Sequence, residues 1–169
     1  MKFTQRGFNL IELMLALTVS GILLGIGVPA LRDFTLRQRM TTSAQDLRTD
    51  LLIARQEAVT RGAPASVCPS GDGATCSGAT DWALGRIVFS DPNGNASVDA
   101  GDTIVRQSAA LAGDVTATST RSAATFGAMG THTAGPFVIN LCRTEQIGID
   151  VRIRRAGHAS AEKTNVVCP

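Results

Sequence analysis

Residues 8–31, FNLIELMLALTVSGILLGIGVPAL, hold a single charge, Glu12, in 24 positions. As one helix at about 1.5 Å per residue this run measures about 36 Å, enough to cross a bilayer. Lys2 and Arg6 precede it and Arg32 follows it. A basic leader stays cytoplasmic by the positive-inside rule, which places the C-terminal bulk outside; Arg32 and Arg37 at the far end oppose that orientation weakly. An ordinary secretory signal fits poorly, because its apolar core is shorter, about 7–15 residues, and ends in small residues before a cleavage site. A carboxylate inside such a run costs a few kcal/mol on insertion scales and marks function by default. The plainer reading of Glu12 is a carboxylate that snorkels or stays protonated.

The rest of the composition narrows the field. With 169 residues the chain suggests one globular domain of ordinary size. Apolar residues make up 44% and charged residues 18%, which excludes a disordered chain. There is no Tyr, and the two His are His132 and His158, so acid–base catalysis has few residues to draw on. A formal net charge of +2 does not suit a protein that coats nucleic acid. Four Cys in a short exported chain favour an oxidising compartment.

Gly7-Phe8-Asn9-Leu10-Ile11-Glu12, behind a short basic leader and ahead of the apolar run, resembles the type III signal of type IV pilins and type II secretion pseudopilins. The resemblance implies cleavage between Gly7 and Phe8 by a membrane-embedded prepilin peptidase, and methylation of the new N-terminal Phe8. The physical chemistry agrees with it. Cleavage creates an ammonium on Phe8 at the membrane edge, and Glu12 of a neighbouring subunit can pair with it, lowering the cost of both charges. Charge pairing then selects an axial stagger between subunits, while the apolar faces supply non-specific adhesion. Pro29 removes one helical hydrogen bond and favours a kink; in pilins a proline at this place often marks a bend or a stretch that melts in the filament. Gly21 and Gly25 stand at small-xxx-small spacing, which suits either close helix approach or a merely tolerant membrane helix.

Beyond Leu31 the pattern turns amphipathic. Phe34, Leu36, Met40, Ala44, Leu47, Leu51, Ala54 and Ala58 recur mostly at steps of three and four. Leu52, Ile53 and Val59 fall off this stripe, so cover on more than one side of the helix is expected. Gly62 and Pro64 stop the helix, which is expected over 8–61. The segments are thus a leader at 1–7, a transmembrane or filament-core helix at 8–31, the amphipathic half of the same helix at 32–62, and a head at 63–169.

A narrower resemblance follows. Ala54, Arg55, Glu57, Ala58, Arg61, Gly62, Pro64, Val67, Cys68, Pro69 and Ser70, then Asp81, Trp82, Gly85, Ile87, Val88, Phe89, Asp91, Asn93, Asn95, Asp99, Gly101 and Asp102, look like the GspH/FimT branch of pilin-like proteins. The resemblance covers about residues 7–142 and implies a pilin-like α+β fold, a long N-terminal helix packed on a β-rich C-terminal head. Short runs marked by Thr, Val, Ile and Phe predict strands at 64–69, 84–90, 103–109, 114–118, 123–127, 136–142, 147–154 and 163–168. Trp82 reads as a core anchor in preference to a ligand platform.

Four Cys allow three pairings. The pairing expected is Cys68–Cys76, which closes a local Gly-rich loop, and Cys142–Cys168, which ties the end of the chain to strand 136–142. A zinc site lacks a C-x2-C pair, and His132 and His158 stand far from the cysteines in sequence. Asp91, Asn93, Asn95, Ser97, Asp99 and Asp102 match the oxygen spacing of a twelve-residue calcium loop. Ala96 in place of the turn glycine, Asp102 in place of a long Glu, and strand-like flanks favour a polar hairpin, and no metal or cofactor is expected.

Charge divides the head. Residues 62–142 carry three basic against six acidic residues, and residues 143–169 carry five against three. Arg152 and Arg154 share a face of a strand, and with Arg155 they make DNA a candidate partner, since guanidinium groups suit phosphates. Some FimT-like pilins bind DNA through a C-terminal Gly-Arg-x-Arg motif; here Gly157 is followed by His158, Ala159 and Ser160, so both motif arginines are missing. A charged strand that blocks edge-to-edge aggregation is the plainer reading. The function expected is a non-enzymatic minor pilin near the tip of a type IV pilus, with a type II secretion pseudopilin or a DNA-binding pilus subunit as alternatives. Its implied partners are other pilins or pseudopilins, the prepilin peptidase and the inner-membrane assembly platform. Its implied location is the bacterial inner membrane with a periplasmic head, then the filament.

Overall fold

A computed structural model describes residues 9–144 and 147–168 of the chain. It contains one long helix, α1 (Leu10–Arg61), followed by eight strands: β1 (Ala65–Pro69), β2 (Arg86–Ser90), β3 (Thr103–Ser108), β4 (Thr116–Ser119), β5 (Ala124–Phe126), β6 (Phe137–Cys142), β7 (Ile147–Ile153) and β8 (Ala159–Val167). The chain divides into two compact units, Met1–Gln38 and Arg39–Pro169.

Asn9 starts the helix. Its carbonyl oxygen accepts from the amides of Glu12 and Leu13 at 3.0 and 3.2 Å, which places Asn9, a favoured residue there, at the N-cap. Glu12 falls at the third helical position, where an acidic side chain complements both the cap and the positive end of the helix dipole. The backbone remains helical through Pro29. At the other end Gly62 adopts φ +63°, the left-handed conformation that closes a helix without a Cβ penalty.

From Met40 onward the apolar stripe is the helix's contribution to the core: Met40, Ala44, Leu47, Leu51, Ala54 and Ala58 are all buried. Phe34, expected on that stripe, is 64% exposed; it lies in the first unit, before burial begins. Two antiparallel four-stranded sheets complete the head, in the orders β3-β2-β1-β5 and β4-β6-β7-β8. Val67, Val88 and Phe126 from the first sheet and Ile139, Leu141, Val151 and Ile153 from the second join the helix in one core. A smaller cluster of Cys68, Ile87 and Phe89 packs with Cys76, Val98 and Ile104. Trp82 is fully buried in the main core and donates from Nε1 to the Arg121 carbonyl at 2.8 Å.

Every predicted strand has a counterpart, with shifted ends. The largest shift is in β8, which begins at Ala159 and not at 163, because Ala159, Ser160, Ala161 and Glu162 pair with Ile153, Arg152, Val151 and Asp150. Small and polar residues hid these positions from a reading that sought Thr, Val, Ile and Phe.

Candidate assembly surfaces

The first unit offers one kind of surface. Within the described helix Leu10–Val28 is long and apolar enough to cross a membrane, and none of it is buried. Leu10, Ile11, Leu13, Met14, Leu17, Ile22, Leu24 and Ile26 are exposed on all sides of the helix. A side chain added at Gly21, Gly25 or Gly27 would meet nothing within 4 Å, so these glycines leave room for a neighbour. Glu12 stands exposed at the start of this surface. Gly7 and Phe8 lie outside the described residues, as does the side chain of Pro29.

In the second unit the chemistry is mostly internal. Asp50 is buried, and its carboxylate accepts from Arg86 Nε at 2.8 Å, Arg106 Nε at 2.8 Å and Ser108 Oγ at 2.7 Å. Arg86 also donates to the carbonyls of Trp82 and Leu84 at 3.3 Å. The helix is thereby pinned to β2 and β3 by a hydrogen-bonded ion cluster, the condition for a buried charge to be tolerated. Sequence reading passed over Asp50, although it stands three residues after Leu47 and four before Ala54 and so must share the core face.

His132 is the second internal feature. Its ring lies 5.6 Å from Phe126 and 5.2 Å from Phe137, centroid to centroid. Nδ1 is 2.6 Å from the Gly135 carbonyl oxygen, so this nitrogen carries the proton and donates. Nε2 is buried without a partner. Burial lowers the pKa of the ring below its usual 6.5, with the Arg121 charge adding to the effect and the Gly135 bond opposing it. The backbone of His132 donates to the Arg155 carbonyl at 3.0 Å, joining the loop after β5 to the turn between β7 and β8.

The acidic loop uses its oxygens internally. Asp91 is buried and accepts from Ser66 Oγ at 2.6 Å and from the amides of Asn95 and Ala96 at 3.1 and 2.9 Å. Asp99 accepts from the side-chain amides of Asn95 and Asn93, which lower its pKa. Asp102 accepts from the Asp99 amide at 2.9 Å. Ala96, in the position of the calcium-loop glycine, adopts φ +59°. Among the described residues no three His, Cys, Asp or Glu side chains are placed to hold a metal ion. The disulfides are Cys68–Cys76 and Cys142–Cys168. Within the first loop Asp72 accepts from the amides of Thr75 and Ala74 at 2.8 Å, and these bonds hold its carboxyl well below the usual range.

The basic cluster is partly neutralised. Arg152 donates to Asp150 at 2.7 Å and lies 3.8 Å from Glu162; Arg154 lies 4.0 Å from the same Glu162. Arg154 and Arg155 follow β7 in the turn to β8. The two carboxylates beside Arg152 weaken its hold on a phosphate.

The family model of the type II transport protein GspH matches residues 43–157, and that of the prokaryotic N-terminal methylation motif matches residues 2–28. The pilin-like protein PilA1 of Thermus thermophilus is 33% identical over 99 residues, 59% of this chain and 56% of that protein. A fimbrial protein of Pseudomonas aeruginosa is 36% identical over 58 residues, 34% of this chain and 37% of that one. The matches thus span about half or less of these relatives. The crystal structure of the type IV minor pilin FimU of Pseudomonas aeruginosa superposes with a TM-score of 0.60 at 23% identity, covering 78% of this chain and 97% of that one, which shows a shared fold.

Proposed function

The chain belongs to the family of the type II transport protein GspH, and on that premise we propose that it is a minor pilin, a structural and non-enzymatic subunit that takes part in type IV pilus assembly near the filament tip. One observation carries the reading: the unburied apolar helix Leu10–Val28 holds one carboxylate, Glu12, in its first turn. A helix apolar all round needs lipid or other apolar helices about it. A lone carboxylate at one end supplies what that non-directional adhesion lacks, a partner that fixes the axial position.

In this reading the peptidase cuts between Gly7 and Phe8, Phe8 is methylated, and the chain waits in the bacterial inner membrane with its head in the periplasm. On assembly the Phe8 ammonium of one subunit meets Glu12 of a neighbour. The assembly platform and the other pilins are the partners. The description of the matched family as a type II transport protein favours a second reading, a pseudopilin of a secretion system. Both use the same helix and the same signal.

The test is Glu12→Ala in the organism of origin. Removing a carboxylate makes the helix more apolar, so membrane insertion is retained. Incorporation into sheared filaments, followed by immunoblot, falls. Normal incorporation of the variant overturns the pairing.

A further inference from the structure

We infer that Leu31, Arg32 and Phe34, at the outer end of the apolar span, form a collar that holds the phosphate of an anionic phospholipid in the periplasmic leaflet. This rests on the membrane-resident stage of the reading above. The helix runs without a break from Leu10 to Arg61, so its rise gives the depth of each residue. Counted from Leu10 at the inner boundary of the hydrocarbon, at about 1.5 Å per residue, Leu31 and Arg32 stand about 32 and about 33 Å along the axis, and Phe34 about 36 Å. The hydrocarbon is about 30 Å thick, and the headgroup layer on each side adds about 5–7 Å. All three residues therefore fall in the outer headgroup layer, whereas Arg37, at about 40 Å, lies past it.

The side chains suit that layer. Leu31 and Phe34 are both 64% exposed and stand three residues apart, on one side of the helix. Helical side chains lean toward the N-terminus, here back toward the hydrocarbon. These two thus reach apolar lipid while their backbone stays among the headgroups. Arg32 is exposed, and among the described residues it joins no ion pair. Its stem leans the same way and leaves the guanidinium at the depth of the lipid phosphates, whose oxygens it fits with paired N–H donors. An arginine on the translocated side of a span runs against the usual charge bias. A phosphate ligand at that depth offsets the cost.

The charge of the segment selects lipid over a second copy of the chain. Residues 31–38 carry Arg32 and Arg37 against Asp33 alone. Two copies at the same depth bring like net charges together, whereas an anionic headgroup brings the opposite one.

The test reconstitutes the full-length chain into vesicles of phosphatidylcholine and phosphatidylglycerol in equal amounts, with a photo-crosslinking phenylalanine derivative at position 34. Flotation first shows that the chain resides in the vesicles. After irradiation, lipid adducts are identified by mass spectrometry. Adducts with phosphatidylglycerol are expected to exceed those with phosphatidylcholine about fivefold, the factor of one arginine near an anionic surface. In Arg32→Gln, which leaves the head untouched and still floats, the two lipids are captured equally. Equal capture by the unsubstituted Arg32 chain overturns the proposal, as does a preference that survives Arg32→Gln or an adduct chiefly with a second copy. A chain that does not float with the vesicles overturns the membrane stage of the filament reading itself, and this collar with it.

Discussion

Arg86 Nε donates to Asp50 Oδ2 at 2.8 Å, and both side chains are 1% exposed. The pair ties the C-terminal part of the helix to the second strand of the head, 36 residues later in the chain. Removing one partner leaves the other charge buried and unsatisfied. Asp50→Ala is therefore expected to destabilise the head by about 3–5 kcal/mol. The double variant Asp50→Leu/Arg86→Met, which removes both charges and restores apolar volume, recovers a large part of that loss. Chemical denaturation of the purified proteins measures both, and equal stability of Asp50→Ala and the wild type contradicts the account.

His132 predicts an acid-sensitive head. Burial lowers its folded pKa below 6.5, so the unfolded state takes up the proton first. The stability it contributes is complete above about pH 6.5 and is lost as pH falls through and below that value. Arg121, whose guanidinium lies 5.9 Å from the Phe137 ring that packs on His132, adds repulsion to the protonated form. Thermal unfolding followed from pH 8 to pH 5 tests this. In His132→Asn, which keeps a donor for the Gly135 carbonyl and cannot titrate, the slope between pH 6.5 and 5 flattens. An unchanged slope assigns the acid sensitivity to other groups.

The two disulfides differ in loop length, 8 residues for Cys68–Cys76 and 26 for Cys142–Cys168. In the chain-entropy model they contribute about 2.5 and about 3.5 kcal/mol. Replacing Cys142 and Cys168 by Ser together is expected to cost more than replacing Cys68 and Cys76. Peptide mapping without reductant joins 68 to 76 and 142 to 168. A peptide joining Cys68 to Cys142 contradicts the fold, since β1 and β6 belong to different sheets.

Much of this was legible in the chain because its signals are local. Apolar length gave the N-terminal helix; Gly62 and Pro64 gave its end; β-branched runs gave the strands. What escaped reading depends on contacts far apart in sequence. The spacing of Asp50 puts it on the core face, but its partners Arg86 and Arg106 come from β2 and β3, 36 and 56 residues away. Leu52, Ile53 and Val59 predicted a second covered side of the helix; Leu52 and Ile53 are half-buried, Ile53 against the core, whereas Val59 is exposed. Strand periodicity put Arg152 and Arg154 on one face, but β7 ends at Ile153, so Arg154 lies in the turn. Of the neutralising carboxylates, Asp150, two residues before Arg152 on the same strand, was legible by that periodicity, whereas the approach of Glu162 required the pairing of β7 with β8.

That neutralisation bears on nucleic acid. If the leader is removed as proposed, loss of Lys2 and Arg6 lowers the formal charge from +2 to 0, and no global field then draws in a polyanion. Titration of the purified chain with labelled duplex is expected to show little or no binding at moderate salt. Three phosphate contacts through Arg152, Arg154 and Arg155 would give a log–log salt slope of about −3. Tight binding that is lost in Arg152→Ala/Arg154→Ala contradicts the expectation and favours a DNA-binding subunit.

Everything proposed for assembly depends on the new N-terminus that cleavage creates. The direct measurement is the intact mass of the chain extracted from membranes and from sheared filaments. The account predicts a mature chain that begins at Phe8 and carries one added methyl group, with Gly7→Ala processed better than a bulky residue at position 7. A chain that retains residues 1–7, or begins at any residue other than Phe8, contradicts it.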